Sequence, residues 1–278
     1  MTKESPVLAT RLASVPNVGA PRRQRLSPAV RASLGRILTL GWPIIALLLL
    51  WELVAVLNGY TDLLLPRPLS VAAHIFNKPQ TFAEPTLITL ALAVPGTVLG
   101  LGVGSGLAIL VWYSSILDGL ITPTTSVLQA IPVVAMLPVI GRLVGYNEIT
   151  IIVIVMLLSF FPTFVLVLGR LRQANGSSED VFRVFGASRR STLFRLLLPQ
   201  AVPGLLAAIR MTAPFSIGAV ILAQYLLSIG GLGQLITDSI VRSDTVTVWA
   251  IACITSVVSI IVFALTKRLE DHVSVRFK

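Results

Sequence analysis

Long apolar runs follow one another along this chain from residue 38 onward, separated by short polar stretches or stretches with proline and glycine. A helix needs about 20 apolar residues to cross the hydrocarbon of a bilayer, and runs of that length can be placed six times. The predicted spans are approximately Leu38–Leu57, Thr86–Val111, Ile121–Val144, Ile149–Leu168, Val202–Leu227 and Val246–Leu265. Because Pro123, Pro132 and Pro138 interrupt the third run, five spans is the alternative count.

The composition indicates the same class of protein. Apolar residues make up 55% of the 278 residues and charged residues only 12%, which lies outside the range of soluble globular domains. The pattern and the composition together predict an all-α polytopic membrane protein in the lipid bilayer.

The first 37 residues differ from the rest of the chain, since they carry seven basic side chains against the single acid Glu4. We expect a disordered tail over residues 1–37 and a transmembrane domain over residues 38–278. The tail is too long and polar for a signal peptide, and the apolar run after it is too long for a signal h-region, so the first span should remain as an anchor. A basic arm that binds nucleic acid is the alternative, but a basic flank beside the first span is also what cytoplasmic retention requires.

Basic residues are divided unequally between the two sides of the membrane that six spans define. One side holds seventeen: seven in the tail, six in the loop after the fourth span and four at the C-terminus. The opposite side holds Arg67, Lys78, Arg142 and Arg242, while Arg210 lies inside the fifth span and is expected to be interfacial or paired. Loops rich in Lys and Arg stay in the cytoplasm, so both termini and the loop after the fourth span are predicted to be cytoplasmic. The net charge of +10 follows from this topology and is no evidence for nucleic acid or for an anionic substrate.

The polar loop after the fourth span has the signals of two short helices. Ser177 can cap the first helix, with Asp180 as the acidic partner of a capping box, and Gly186 can take the left-handed conformation that closes it. Ser188 can cap the second helix, and Pro199 is expected to stop that helix before the fifth span. The first helix has an apolar face made of Val181, Phe182, Val184 and Phe185.

This loop resembles the EAA loop of the membrane permease subunits of binding-protein-dependent ABC importers. That loop reads E-A-A, three residues, G, nine residues, I-x-L-P, and every spacing is kept here. The matching positions are Asp180, Val181, Phe182, Gly186, Leu196, Leu198 and Pro199. The departures are Asp for Glu and Val-Phe for Ala-Ala; an amphipathic loop without a partner is the alternative. We call residues 170–200 the coupling loop.

Further stretches resemble the branch of these permeases that serves taurine, alkanesulfonates, nitrate and similar small compounds. They occur in the expected order over about residues 40–275. The stretches are Trp51–Glu52, Leu65–Val71, Ile131–Pro138, Phe160–Pro162 with Gly169, Pro199–Pro203 and Gly230–Gly233. One departure is Gln224, which stands after Ala223 where that branch has an acid.

The resemblance implies a type I ABC importer permease fold in the plasma membrane of a bacterium. It also implies a homodimer of permeases, two cytoplasmic ABC ATPase subunits that use ATP and Mg, and an extracytoplasmic substrate-binding protein. The first loop helix then enters a groove of the ATPase, with Phe182 and Phe185 as apolar anchors and Arg189 and Arg190 at the rim. The residues assigned to ATPase coupling are Glu179, Asp180, Val181, Phe182, Phe185, Gly186, Ala187, Arg189, Arg190 and Pro199.

The chain itself has no recognisable energy-converting or catalytic site, so it is not expected to be an enzyme or to hold a cofactor or metal. It lacks a G-x-x-x-x-G-K-S/T phosphate loop, and its two histidines, His74 and His272, are far apart and lie outside the predicted spans. A single cysteine, Cys253, excludes an intrachain disulfide. The alternatives from other classes are a secondary transporter or channel that needs no ATPase and a membrane-embedded enzyme.

Glycines, prolines and polar residues inside the spans predict where helices pack and where solute passes. Gly96, Gly100 and Gly104 recur every four residues and predict close approach of another helix. Pro132 and Pro138 free backbone carbonyls at membrane depth, which predicts that the third span borders the translocation path; a kink for packing is the alternative. The candidate residues of the translocation path are Gln129, Pro132, Met136, Gln224 and Tyr225.

Overall fold

The computed structural model describes residues 28–129, 131–173, 180–182 and 184–275, without the side chains of 28–40, 126, 128, 129 and 134. These residues form helices and contain no strand. The helices are α1 Pro28–Leu57, α2 Pro68–Asn77, α3 Pro79–Tyr113, α4 Ser115–Gln129, α5 Leu137–Val144, α6 Glu148–Gln173, α7 Arg189–Leu227, α8 Gly231–Val241 and α9 Thr245–Ser274.

The chain divides into two compact units, Met1–Trp51 and Glu52–Lys278. The described part of the first unit is the N-terminal portion of α1, which begins at Pro28. This helix therefore begins within residues 1–37, the range for which the sequence predicts a disordered tail. Proline is well tolerated in the first turn of a helix, and the residues after it are mostly good helix formers, so α1 extends beyond the apolar run.

Four helices of the described residues, α3, α6, α7 and α9, are long and apolar enough to cross a membrane. They contain the second, fourth, fifth and sixth predicted spans. The apolar part of α1, Gly41–Leu57, is a shorter helical stretch that corresponds to the first.

The predicted third span, Ile121–Val144, is broken in the structure. Helix α4 ends at Gln129, a 3₁₀ turn covers Val133–Met136, and α5 begins at Leu137. Pro132 has no N–H to donate to a helical hydrogen bond; instead its carbonyl accepts from the N–H of Ala135 at 2.9 Å. Non-helical backbone at membrane depth is tolerated where it is buried in protein or lines a cavity. The break is therefore expected at such a position in the bundle.

Helices α3 and α6 pack along the predicted glycine face. A Cβ atom at Gly96 would lie 2.6 Å from Val155 Cβ, one at Gly100 would lie 2.5 Å from Ser159 Cβ, and one at Gly104 would lie 2.6 Å from the Phe160 carbonyl oxygen. Real Cβ atoms essentially never approach so closely. The prediction of close helix approach at these glycines is thus confirmed, and van der Waals packing of this kind is what holds helices together in lipid.

One end of the bundle is fixed by a buried cluster in which α3, α6 and α7 meet. Phe164, Leu171 and Leu197 are almost completely buried there. The whole cluster comprises Ala108, Val111, Phe164, Val167, Leu168, Leu171, Leu193, Leu197 and Ala201. The cluster anchors the first turns of α7, and with them the C-terminal half of the coupling loop.

Arg210 of α7 is paired, as one of the two expectations for it proposed. Its Nε lies 3.1 Å from Oε2 of Glu270 on α9, and the two side chains are 39% and 18% exposed. An ionised side chain near hydrocarbon is costly unless it has a partner or reaches water. This ion pair therefore accounts for an arginine inside an apolar helix.

Candidate docking and translocation sites

The described residues just before Ser188 in the coupling loop form a helical turn closed by glycine. The N–H of Ala187 donates to the Phe182 carbonyl at 2.9 Å, and the N–H of Phe185 donates to the Val181 carbonyl at 3.1 Å. Gly186 has a φ of 71°, so the turn ends in a Schellman-type closure. The left-handed conformation predicted for Gly186 is confirmed, whereas the predicted cap Ser177 and the coupling candidate Glu179 lie outside the described residues.

The second half of the loop begins as predicted but does not end as predicted. Ser188 caps α7, since its side chain accepts from the N–H of Ser191 at 3.2 Å. The helix then passes through Pro199 without stopping, because a π-helical turn, Leu193–Leu197, precedes the proline and Leu198 donates to the Leu193 carbonyl. Such a turn shifts the hydrogen-bond pattern by one residue and accommodates the missing N–H of Pro199. The expectation that Pro199 ends this helix is wrong.

The apolar side chains of the first turn are largely exposed. Val184 and Phe185 are 84% and 85% exposed, Val181 is 52% exposed, and Phe182 is half-buried. We call Val181, Phe182, Val184 and Phe185 the apolar patch. A tight turn that presents an exposed phenylalanine and valines in a polar loop is suited to insertion into an apolar groove.

The two arginines of α7 make different contacts. Arg189 Nη1 donates to the Tyr113 carbonyl at 3.5 Å, which ties the coupling loop to the end of α3. The guanidinium carbon of Arg190 lies 6.0 Å from the ring centroid of Phe194, within the range of a cation–π contact.

Helices α4 and α6 are joined at the same end of the bundle by an ion pair between Asp118 and Arg172. Thr122 donates to the same Asp118 oxygen at 2.6 Å. The hydrogen bond from Thr122 and the neighbouring Arg172 guanidinium lower the pKa of the Asp118 carboxyl, which lies before the predicted third span. The loop after α3, the end of α6 and the coupling loop thus meet at one end, as the predicted topology requires.

The translocation candidates whose side chains are described differ in their exposure. Pro132 is exposed in the break between α4 and α5, Met136 is half-buried just before α5, and Tyr225 is 37% exposed on α7. The side chain of Gln129 lies outside the described residues. Gln224 is completely buried.

Gln224 joins three helices inside the protomer. Its Oε1 accepts from Thr89 Oγ1 of α3 at 2.9 Å and from the N–H of Gly233 of α8 at 3.2 Å. A Cβ atom at Gly233 would lie 2.3 Å from the Ile221 carbonyl oxygen, so only glycine allows α8 to approach α7 this closely. Buried polar groups need such partners, and this position therefore couples α7 to α3 and α8.

Two apolar cavities of about 350 Å³ each lie beside the broken third span and share Leu137. The first is bordered by Val133, Ile154, Leu158, Pro214, Phe215, Gly218, Ala219, Leu222, Ala223 and Ser259, and the second by Ala135, Pro138, Tyr146, Leu226 and Leu227. The candidates selected from the sequence, Gln129, Pro132, Met136, Gln224 and Tyr225, include none of these lining residues. The sequence signal for these cavities is the pair of prolines that breaks the third span, because the lining residues Val133, Ala135 and Leu137 lie between Pro132 and Pro138.

Within the described ranges, no group of three or more His, Cys, Asp or Glu side chains could hold a metal ion. Cys253 is half-buried.

Residues 96–275 match the family model described as binding-protein-dependent transport system inner membrane component. The formylaminopyrimidine transport permease protein ThiX of Halalkalibacterium halodurans is 27% identical over 226 residues, covering 81% of this chain and 90% of that protein. The riboflavin transport system permease protein RibX of Chloroflexus aurantiacus is 27% identical, covering 88% and 94%. The putative aliphatic sulfonates transport permease protein SsuC of Bacillus subtilis is 26% identical, covering 80% and 78%.

Two solved structures share the fold. The MetNI methionine ABC transporter in an inward facing conformation aligns with a TM-score of 0.58 at 20% identity, covering 66% of this chain and 92% of that chain. An amino acid ABC transporter aligns with a TM-score of 0.62 at 16% identity, covering 72% and 97%. The predicted fold class is therefore confirmed.

Proposed function

Because the chain belongs to the family of binding-protein-dependent transport system inner membrane components, we propose that its coupling loop docks a separate cytoplasmic ATPase. The chain is a transmembrane permease subunit of an ABC importer. The observation that carries the docking proposal is the exposure of the apolar patch, above all of Phe185, on a turn that Gly186 closes. Phe182 and Phe185 enter a groove of the ATPase, and Asp180, Arg189 and Arg190 contact its rim.

Helix α7 transmits the movement of the docked loop into the membrane. It runs from Arg189 to Leu227 as one helix, so displacement of its first turn also moves the end that carries Gln224. Helix α7 borders both apolar cavities. In this mechanism ATP binding brings two ATPase subunits together, and the docked coupling loops move with them. The contacts between loop and ATPase must differ in free energy between the ATP-bound and the hydrolysed state, because only such a difference lets hydrolysis shift the permease from one conformation to the other. ATP and Mg belong to the partner ATPase.

The translocation path runs beside the broken third span and is completed by a second permease copy. Phe215 and Leu222 border one cavity and yet are 64% and 40% exposed, so this protomer supplies only part of the wall. In this proposal the same wall also includes Gln129, Pro132, Met136 and Tyr225. Gln224 does not line the path but holds α7 in place through its contacts with α3 and α8. An extracytoplasmic binding protein delivers a small organic solute, the kind of compound after which the relatives ThiX, RibX and SsuC are named.

Both termini and the coupling loop face the cytoplasm of a bacterial cell in this proposal. The basic residues support it, since seventeen of 22 fall on the side of the coupling loop and positive loops remain inside. The meeting of the α3–α4 loop, the α6 end and the coupling loop at one end is consistent with that count.

Thiol labelling of intact cells tests the orientation. In a Cys253→Ser background, which leaves no other cysteine, Val184→Cys and Val241→Cys place single thiols at positions that are 84% and 80% exposed. We expect a membrane-impermeant maleimide to label position 241 in intact cells and position 184 only after permeabilisation. Labelling of position 184 in intact cells would place the coupling loop outside and contradict the proposal.

Co-purification tests the function. We expect an ABC ATPase to purify with this chain from native membranes in mild detergent and to be lost from a Gly186→Arg variant, because a side chain at a φ of 71° strains the closure of the docking turn. Gly59→Arg is the matched control: Gly59 also has a positive φ, of 60°, and a Cβ atom at either glycine meets nothing within 4 Å. If no ATPase accompanies the wild-type chain, an ATP-independent transporter or channel becomes the better hypothesis.

A further inference from the structure

A third cavity, of about 550 Å³, lies behind the coupling loop at the end of the bundle. It is bordered by residues from the end of α3, the start of α4, the end of α6 and the first turn of α7. The side chains that matter for its chemistry are Trp112, Tyr113, Ser115, Asp118, Arg172 and Arg189. Its volume is in the range of sites for organic ligands, about 300–1,000 Å³, and larger than a few water molecules need.

The charges on the described lining of this cavity do not balance. This lining contains the guanidinium groups of Arg172 and Arg189 and the carboxylate of Asp118. Asp118 is already paired with Arg172 and also accepts from Thr122. Within the described part of the chain, Arg189 has no carboxylate partner, and its Nη1 donates to the Tyr113 carbonyl at 3.5 Å. A guanidinium carries five N–H donors, so Arg189 keeps donors and a positive charge for another group.

The cavity lies at the level where a membrane surface is expected, since long apolar helices end beside it. Helices α3 and α6 end beside it at Tyr113 and Gln173, and its floor includes Val111, which is 2% exposed and belongs to the buried cluster. Tyr113 is 51% exposed and Trp112 is half-buried. Tyr and Trp favour the headgroup level of a bilayer, and basic pockets between helices at the cytoplasmic surface suit anionic headgroups.

We propose that this cavity binds a phosphate ester, whose oxygens accept from the guanidinium of Arg189 and the hydroxyl of Ser115. Planar guanidinium groups are well matched to phosphate oxygens. The ester comes either from the headgroup of an anionic lipid or from a soluble phosphorylated compound. A phosphate held there joins the first turn of α7 to the start of α4, so its occupancy stabilises the coupling loop in the position seen here. The proposal rests on the cavity and not on ATPase docking.

Native mass spectrometry of the purified full chain tests the proposal with no ATPase present. The probes are phosphatidylglycerol, phosphatidylcholine as the lipid without net charge, and glycerol 3-phosphate as the soluble ester. We expect phosphatidylglycerol or glycerol 3-phosphate to bind, and Arg189→Gln to weaken that binding about tenfold, the loss of a charge-assisted hydrogen bond. Retention of the lipid alone assigns the site to a headgroup, and binding of glycerol 3-phosphate without lipid assigns it to a soluble compound.

Two further variants separate binding at this cavity from general effects of charge or folding. Arg268→Gln removes the same charge from an exposed position of α9 and is expected to leave binding unchanged. Asp118→Asn removes the acid and frees Arg172, so it is expected to strengthen binding severalfold, a gain that damage to the fold does not produce. The proposal is overturned if neither probe binds more tightly than phosphatidylcholine, or if Arg189→Gln and Arg268→Gln have equal effects.

Discussion

Substitution of Phe185 by aspartate is expected to abolish the association of this permease with its ATPase while leaving the permease folded. Phe185 is 85% exposed, so the protomer loses little packing when the ring is removed. A central aromatic anchor of an interface contributes about 2 kcal/mol or more, a factor of about 30 in affinity, and a buried carboxylate in the apolar groove adds a desolvation cost. The measurement is the amount of ATPase retained per permease after purification, together with the thermal stability of the permease alone.

Phe76 provides the matched control for this experiment. It is also a phenylalanine, is 81% exposed, and lies on α2, on the opposite side of the membrane in the proposed topology. Phe76→Asp makes the same chemical change and is expected to leave the ATPase bound. Equal loss of the ATPase from both variants would mean that the aspartate acts through folding or insertion, and the assignment of the apolar patch would be withdrawn.

Substitution of Gly100 by leucine is expected to prevent stable folding of the transmembrane domain. A Cβ atom there would lie 2.5 Å from Ser159 Cβ and 2.7 Å from the Met156 carbonyl oxygen, so α3 and α6 must move apart at this position. Overpacking of a core costs about 1–3 kcal/mol of folding free energy. Because the new side chain collides with backbone atoms, we expect a cost at or above the upper end of that range. The measurement is the folded yield in detergent and its thermal midpoint.

The same helix contains the control for this second prediction. Gly102 is exposed, and a Cβ atom there meets nothing within 4 Å. Gly102→Leu is expected to change stability by no more than about 1 kcal/mol, the scale of helix propensity. If Gly100→Leu folds as well as Gly102→Leu, the packing of α3 on α6 described here is wrong.

Local signals in the sequence predicted the local structure of the docking segment. Gly186 and Ser188 act through their own backbone and neighbouring N–H groups, and both do what their residue types favour. The glycine face of α3 was also predictable, because three glycines spaced by four residues on an apolar helix are typical of a close helix–helix contact. The prediction needed no knowledge of which helix packs there.

Features that depend on several segments were not predictable in this way. Pro199 was expected to end a helix, but the buried cluster around Leu193 and Leu197 holds the helix together through a π-helical turn. Gln224 was selected as a pore residue because it is polar within a span, and only the packing of α8 reveals its contacts with Thr89 and Gly233. The cavity near Arg189 combines four segments. Its signals in the sequence are Trp112 and Tyr113 at the end of α3 and Asp118 in the first turn of α4, and they form no motif.

Cross-linking from position 184 in native membranes tests the docking of an ATPase most directly. A photoactivatable thiol reagent is attached to Val184→Cys in the Cys253→Ser background, with Val241→Cys as the control, and the cross-linked proteins are identified by mass spectrometry. The proposal predicts an ATP-binding protein attached to position 184 and not to position 241. A well-labelled position 184 that cross-links to no ATP-binding protein would contradict the claim that the coupling loop is the docking site.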